Sequence, residues 1–271
     1  MGKNTLHMLQ SVTDTICNSF IITTEDGKLI VIDGGYPSET PYFLEYLQKT
    51  AGCEKPHIDA WFLSHPHDDH VSVFLEMVEH HPDAFEVDTV YLNFPSRQYL
   101  AKEDASAAET MDWFYRMLPR FADKLRIASC GDVIEIGAAT FRVLFSQDCA
   151  IPSNRANNAS LVFRMELGGR SVLFTGDCGV EAGQKVLRLF GDSGLLRCDI
   201  CQMAHHGQNG CDKAFYKAVS PAVCLWPTPS WLWTNRDGKG PFKTLEVRAW
   251  MEELGVRTHY VSKDGTMVID L

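Results

Sequence analysis

The sequence predicts an α/β fold in which two mixed β-sheets pack together with helices outside. Three observations lead there. Apolar, β-rich runs alternate with amphipathic helical runs, and the second half of the chain roughly repeats the order of the first. Four of the apolar runs also end in polar groups, at Asp33, at His65 to His70, at Asp177 and at His205-His206. In a layered sandwich such groups gather at strand ends along one edge.

The elements follow in order. Residues 19–24 and 28–32 are β-rich and are joined by Glu25-Asp26-Gly27, whose Asp-Gly step suits a tight hairpin turn. Residues 41–49 read as a helix, 57–63 as a buried strand and 71–79 as a helix with Val71, Phe74, Leu75 and Val78 on one face. A strand at 87–93 precedes a long helical stretch at 101–125 that Pro119 interrupts. Residues 132–136 and 140–145 form a hairpin-like pair around Gly137, and 160–167 and 170–175 form another around Gly168-Gly169. A helix at 181–190, a strand at 199–204, a helix at 214–219 and a strand at 222–226 come next. A helix at 243–254 and strands at 259–262 and 266–269 complete the chain.

With 271 residues and 45% hydrophobic content the chain can bury a sizeable core, and no linker or short repeat divides it, so a single domain over 1–271 is expected. No apolar run approaches the roughly 20 residues that span a bilayer, and the first residues lack the apolar core of a secretory signal. Nine cysteines, an odd number scattered from Cys17 to Cys224, suit free thiols in a reducing compartment. A cytoplasmic protein with no membrane partner is therefore expected. The net charge of −10 disfavours long nucleic acid as a partner but leaves room for a local site that binds a small anion.

The densest of the strand ends is Ser64-His65-Pro66-His67-Asp68-Asp69-His70, with three imidazoles and two carboxylates in six consecutive residues after Ala60-Trp61-Phe62-Leu63. Neutral imidazole and carboxylate suit Zn²⁺ and similar ions, and so dense a set can serve two neighbouring ions. A carboxylate at the end of a buried strand is costly unless it is paired or bound to a cation. Asp33 and Asp177 are therefore expected to converge with the histidines.

Together these residues resemble the metallo-β-lactamase superfamily of metal-dependent hydrolases. The likeness runs from Leu29-Ile30-Val31-Ile32-Asp33-Gly34-Gly35 to Lys263-Asp264-Gly265-Thr266, and its most specific part is the His-x-His-x-Asp-His pattern at His65, His67, Asp69 and His70. Asn157-Asn158-Ala159-Ser160-Leu161-Val162, Leu173-Phe174-Thr175-Gly176-Asp177 and Ala204-His205-His206-Gly207 resemble one branch in particular. That branch contains the hydrolase domain of the bacterial competence protein ComEC and the phosphorylcholine esterases.

The resemblance implies a four-layer αββα sandwich with two divalent metal ions. His65 and His67 would hold the first ion, Asp69, His70 and His205 the second, and Asp177 would bridge them, with Asp33 outside the ligand set orienting a ligand histidine. The end of the strand favours His205 as the ligand, with His206 as the alternative; otherwise His206 is the candidate donor of a proton or hydrogen bond to the leaving group. The candidate catalytic residues are thus Asp69, His206 and Asp33. The superfamily commonly gives the first ion another histidine from a loop between His70 and Asp177. Here that interval holds only His80 and His81, in or just beyond the helix after the signature, and the corresponding loop carries Asn157-Asn158. The first ion would then have three protein ligands, with water or substrate completing its shell. Zn²⁺ is the expected ion, with Mn²⁺, Fe²⁺ or a partly filled first position as alternatives.

Two such ions bring about four positive charges; Asp69, Asp177 and a bridging hydroxide offset about three of them, which leaves a positive site suited to a small anionic substrate. Bound water, its pKa lowered to about 7, would supply the nucleophile. The expected function is hydrolysis of a small phosphodiester or phosphocholine-like ester. The alternatives are hydrolysis of a lactone, thioester or other carboxylic ester, and a non-catalytic binding protein that retains the fold. Candidate substrate residues are Asn157, Asn158, Trp231 and Trp233. The segment Trp226-Pro227-Thr228-Pro229-Ser230-Trp231-Leu232-Trp233 makes a stiff aromatic wall that could stack on a base or cradle a quaternary ammonium; ordinary packing or a homo-oligomer contact is its competing reading. Cys198 and Cys201 read as a core pair, since they start a strand and no helix N-terminus stabilises a thiolate there. Cys178 follows Asp177 and could either approach the site or only pack; His7, His57 and His259 have no assigned role, and Glu76 and Glu79 read as a solvated helix face.

Overall fold

A computed structural model describes residues 2–235 and 242–271. The first half of the chain supplies β1 (Thr5–Met8), β2 (Ser19–Thr23), β3 (Leu29–Asp33), β4 (His57–Phe62), β5 (Glu86–Leu92) and β6 (Leu125–Ile127). The second half supplies β7 (Val133–Ile136), β8 (Ala139–Phe145), β9 (Val162–Leu167), β10 (Arg170–Phe174), β11 (Ile200–Gln202), β12 (Val223–Trp226) and β13 (Thr258–Val261). The last strand, β14 (Met267–Asp270), crosses back to pair antiparallel with β1. Two seven-stranded sheets result, in the orders β14-β1-β2-β3-β4-β5-β6 and β13-β12-β11-β10-β9-β8-β7.

Each sheet opens with antiparallel neighbours and continues with parallel ones, the change falling at β3–β4 in one and β10–β11 in the other. This is the internal repeat that the element order suggests. Parallel strands need crossovers, and helices supply them: α1 (Thr40–Ala51) between β3 and β4, α2 (Asp68–His80) between β4 and β5, and α5 (Val180–Phe190) between β10 and β11.

The period-two pattern of the inner strands decides which layer each side chain joins. On β3, Leu29 and Val31 pack into a core shared with α1 and α2, whereas Ile30 and Ile32 face the core between the sheets. On β4, Trp61 belongs to the first of these cores and its neighbours Ala60 and Phe62 to the second. Phe62 links the sheets directly, its ring 4.7 Å from Phe141 on β8 and 5.1 Å from Phe163 on β9. A third core lies between the second sheet and α5, α6 (Lys213–Val219) and α8 (Thr244–Glu253). The layers are therefore helix, sheet, sheet, helix.

The stretch expected to be helical from 101 to 125 divides. Helix α3 (Arg97–Leu100) precedes it, α4 (Ala105–Met117) begins only after Asp104 accepts a hydrogen bond from Ala107 N, and Pro119 sits in a 3₁₀ turn at Leu118–Arg120. Leu125–Ile127 is an edge strand beside β5. Tertiary pairing overrides helical propensity there. Strand β1 and the short helix α7 (Ser230–Thr234) have weak local signals and come from pairing and packing.

Phe62→Ala removes a fully buried ring from the contact between the sheets and is expected to destabilise the protein by about 3–5 kcal/mol, read as a shift of the urea unfolding midpoint. A loss below about 1 kcal/mol would show that the sheets do not depend on this contact.

Candidate metal centre

The change from antiparallel to parallel pairing brings the polar strand ends together. Asp33 ends β3, the 64–67 turn follows β4, Asp177 lies just beyond β10, and the turn at Ala204–Gly207 follows β11. A backbone hydrogen bond joins the two halves at this edge, Leu161 N donating to Ser64 O at 2.9 Å, and within the second half His205 N donates to Gly176 O at 3.1 Å. His67 is the N-cap of α2, so Asp68 and Asp69 fall in the first turn, where the helix dipole favours negative charge.

Two groups of donors form there, and Asp177 belongs to both. Asp69, His70, Asp177 and His206 each offer an atom within 4.8 Å of the others, and so do His65, His67 and Asp177. His206 Nε2 lies 2.8 Å from Asp69 Oδ2 and His70 Nε2 3.1 Å from Asp177 Oδ1. Yet these four buried atoms have no aligned hydrogen-bond partner. Polar atoms so close, buried and unaligned share a focus between them. Among the described residues no lysine or arginine pairs with Asp33, Asp69 or Asp177; their ionic neighbours are imidazoles. The donor set fits a pair of divalent cations.

Each ring aimed at this focus is held from behind. His70 Nδ1 donates to Asp33 Oδ2 at 2.8 Å, His65 Nδ1 to Ser64 Oγ at 3.1 Å, and His206 Nδ1 to the Pro227 carbonyl at 3.0 Å. His67 Nε2 donates to Asp104 Oδ2 at 2.8 Å, which leaves its Nδ1 3.0 Å from His65 Nε2. A neutral histidine that donates through one nitrogen presents the other as a lone pair, so in that state all four rings could serve as ligands. His205 differs. Its Nδ1 has no hydrogen-bond partner, and its Nε2 is 3.7 Å from Asp177 Oδ2 with the side chain partly open to solvent.

The geometry thus reverses the roles expected of the adjacent histidines: His206 points into the cluster, and His205 stands at its mouth. The strand-end argument placed the wrong one inside because both residues take positive φ, 53° and 54°, which turns the backbone by an extra step. Gly207 continues the turn at φ 74°, and a Cβ there would overlap the indole of Trp226.

Charge in the cluster is strongly coupled. Burial disfavours a charged imidazole everywhere here and, with His70 nearby, holds His65 well below the ordinary histidine range. At His70 and His206 burial acts the same way, but Asp177 and Asp69 outweigh it, raising His70 well above its usual value and His206 to about 9. Burial alone would raise Asp177; His206, His70 and His205 instead pull it well below the carboxylate range. Cation binding to such a set releases protons.

Asp33 is fully buried at φ 54° and accepts from Asn18 Nδ2, Ser64 N and Ser64 Oγ as well as from His70. It is a hub that aims His70. Asn158 is committed to structure: its Oδ1 accepts from Ala182 N at the start of α5 and its Nδ2 donates to Ser153 O, so it has no group left for a substrate. Asn157 is also buried, with Nδ2 donating to Asn154 and Oδ1 unpartnered. Trp233 packs edge-on against Trp226 and carries the Arg248 guanidinium 4.0 Å above its ring, so that face is taken. Trp231 lines an open, mostly apolar groove of about 630 Å³ with Ile16, Tyr36 and Pro37. Tyr36 follows Gly35, whose N–H donates to His70 O at 3.4 Å, so this groove lies next to the end of α2 that carries Asp69 and His70. His80 and His81 lie at the far end of α2.

Asp104 was not anticipated. Its signal was present in the run Asp104-Ala105-Ser106-Ala107, an N-cap before a helix-forming stretch, but a helix drawn from residue 101 ran through it.

A family model described as the metallo-beta-lactamase superfamily matches residues 12–210. The chain belongs to that superfamily. It is 28% identical over 173 residues to ComE operon protein 3 of Bacillus subtilis (strain 168), a match that covers 62% of this chain and 20% of that protein. The chain thus spans about a fifth of that relative's length. Among solved structures it resembles CmlA, a diiron beta-hydroxylase from Streptomyces venezuelae, with a TM-score of 0.60 and 13% identity over 100% of this chain and 55% of that one. It also resembles a diphosphatase from the PhnP family, with a TM-score of 0.51 and 13% identity over 100% of this chain and 98% of that one. These two structures share the fold. No helix among the described residues is long and apolar enough to cross a membrane.

Gly207→Ala puts a Cβ into Trp226 and a side chain at positive φ; it is expected to destabilise the protein by about 1–3 kcal/mol and lower its melting temperature. An unchanged melting temperature would mean that the turn aiming His206 is less tightly packed than described.

Proposed function

We propose that this member of the superfamily is a dinuclear metal-dependent hydrolase of small anionic esters, with a phosphodiester or phosphocholine-like ester as substrate. The observation that carries this reading is the set of buried, unaligned donor atoms on Asp69, His70, Asp177 and His206, beside a second set from His65, His67 and Asp177. In this reading His65, His67 and Asp177 hold the first ion, and Asp69, His70, His206 and the shared Asp177 hold the second. Two divalent ions there supply Lewis acidity toward a phosphoryl or carbonyl oxygen and lower the pKa of water to about 7.

The protein's own groups do the rest. Asp33, Ser64, Asp104 and the Pro227 carbonyl keep the four imidazoles oriented, so no reorganisation is needed when a substrate arrives. His205, at the mouth of the cluster, is placed to donate a proton or hydrogen bond to the leaving group. Trp231 and Tyr36 offer two aromatic surfaces beside the site. These suit the trimethylammonium end of a phosphocholine ester. The complete set of backed ligands speaks against a binding protein with a crippled site, since outer partners that fix tautomers serve metal ligation.

Metal analysis of the purified protein is expected to find two ions per chain; His206→Ala should retain about one. His205→Ala should keep both ions while kcat on bis-p-nitrophenyl phosphate or p-nitrophenyl phosphorylcholine falls by roughly 10²–10⁴. Content well below one ion, with no turnover after Zn²⁺ or Mn²⁺ is restored, would defeat the hydrolase reading; preference for a lactone or thioester panel would transfer it to carboxylic esters. Trp231→Ala should raise KM for the phosphorylcholine ester by about 2–30-fold and leave bis-p-nitrophenyl phosphate nearly unaffected, as loss of a cation–π contact of about 0.5–2 kcal/mol requires.

A further inference from the structure

The two donor groups are unequal. The second contains four residues, two of them carboxylates, whereas the first contains His65, His67 and the shared Asp177. Within the first group His67 is the least confined: its side chain is 18% exposed, against 0% for His65. It is also the donor whose outer partner comes from a distant helix. The other three rings are backed from β3, from the 64–67 turn itself and from the segment after β12, all within the sheet edge.

That partner, Asp104, has both carboxylate oxygens in use. Oδ1 accepts from Ala107 N at 2.9 Å and so caps α4; Oδ2 accepts from His67 Nε2 at 2.8 Å. Because the cap fixes the carboxylate on the helix end, His67 is held against a rigid element. The preceding residue ties in the loop on the other side. Glu103 Oε1 accepts from Asn154 N at 2.9 Å and Oε2 from Arg155 N at 3.1 Å, while the Arg155 side chain donates to Tyr99 O at 2.8 Å and lies over the Tyr99 ring. The Glu103-Asp104 turn thus clamps the loop that leads to Asn157 with one carboxylate and His67 with the other.

From this we propose that Asp104 is a positioning residue that sets occupancy of the first metal position, by fixing His67 with its proton on Nε2 and its Nδ1 lone pair toward His65 and Asp177. The inference rests on the dinuclear reading given above. A position with few protein ligands depends more on each of them, and loss of an outer partner typically costs 10–100-fold in metal affinity. The second position has its own backed rings and should be indifferent to Asp104.

Asp104→Asn separates this role from the helix cap. Asparagine caps as well as aspartate, so Oδ1 can still accept from Ala107 N. Its amide nitrogen would then face His67 Nε2–H, donor against donor, and the ring must turn or change tautomer. The experiment titrates the metal-stripped protein with Zn²⁺ against a chromogenic chelator, records the visible spectrum with Co²⁺, and follows the His67 ring nitrogens by NMR. The expected result is one unaltered site and one weakened 10–100-fold, a Co²⁺ spectrum that loses one component, and a His67 signature that departs from the Nε2–H tautomer, with helix content by circular dichroism unchanged. Wild-type binding of two ions with both affinities unaltered in Asp104→Asn overturns the proposal and leaves the dinuclear reading standing. A wild-type protein that takes up no ion overturns both.

Discussion

Everything at the functional edge depends on a buried carboxylate that no lysine or arginine among the described residues pairs with. Asp177 is almost wholly enclosed, belongs to both donor groups and is surrounded by imidazoles. An isolated ionised carboxylate in such a place would be intolerable, and imidazoles compensate it only if they carry protons or share a cation with it. Both arrangements keep the outward bonds of His65, His67, His70 and His206, so the environment of Asp177 and the orientation of four histidines are set together.

The fold serves that solution by stacking two sheets that each turn from antiparallel to parallel pairing, so the ends of β3, β4, β10 and β11 share an edge. Large rings such as Phe62, Phe141 and Phe163 hold the sheets together behind it. A close-packed core of that kind transmits little slack, which is what a site of fixed lone pairs needs. Three of the non-glycine residues with positive φ, Asp33, His205 and His206, lie at this edge, in a conformation that side-chain-bearing residues adopt only when their surroundings over-determine it.

Most of the layered architecture was legible because it rests on local signals. The alternation on β3 and β4, the Gly168-Gly169 turn and the polar residues closing apolar runs reflect short-range chemistry. The 101–125 segment was misread because the edge strand at Leu125–Ile127 is chosen by its neighbour β5, and because the cap at Asp104 was passed over. Trp233 was read as a surface for ligands, yet it lies under Arg248 against Trp226, a contact between α7, β12 and α8 that sequence distance hides.

Sequence alone determined the kinds of donor and their grouping, since His65, His67, Asp69 and His70 lie on one turn and Asp177 follows a strand whose burial demands a partner. Tertiary structure alone decided which of His205 and His206 faces inward, that Asn158 serves a helix, and that Asp104 stands behind His67. The reason is common to all three. The identity of a side chain constrains what it can bind, but which of its atoms remains free depends on hydrogen-bond partners that the fold brings from elsewhere.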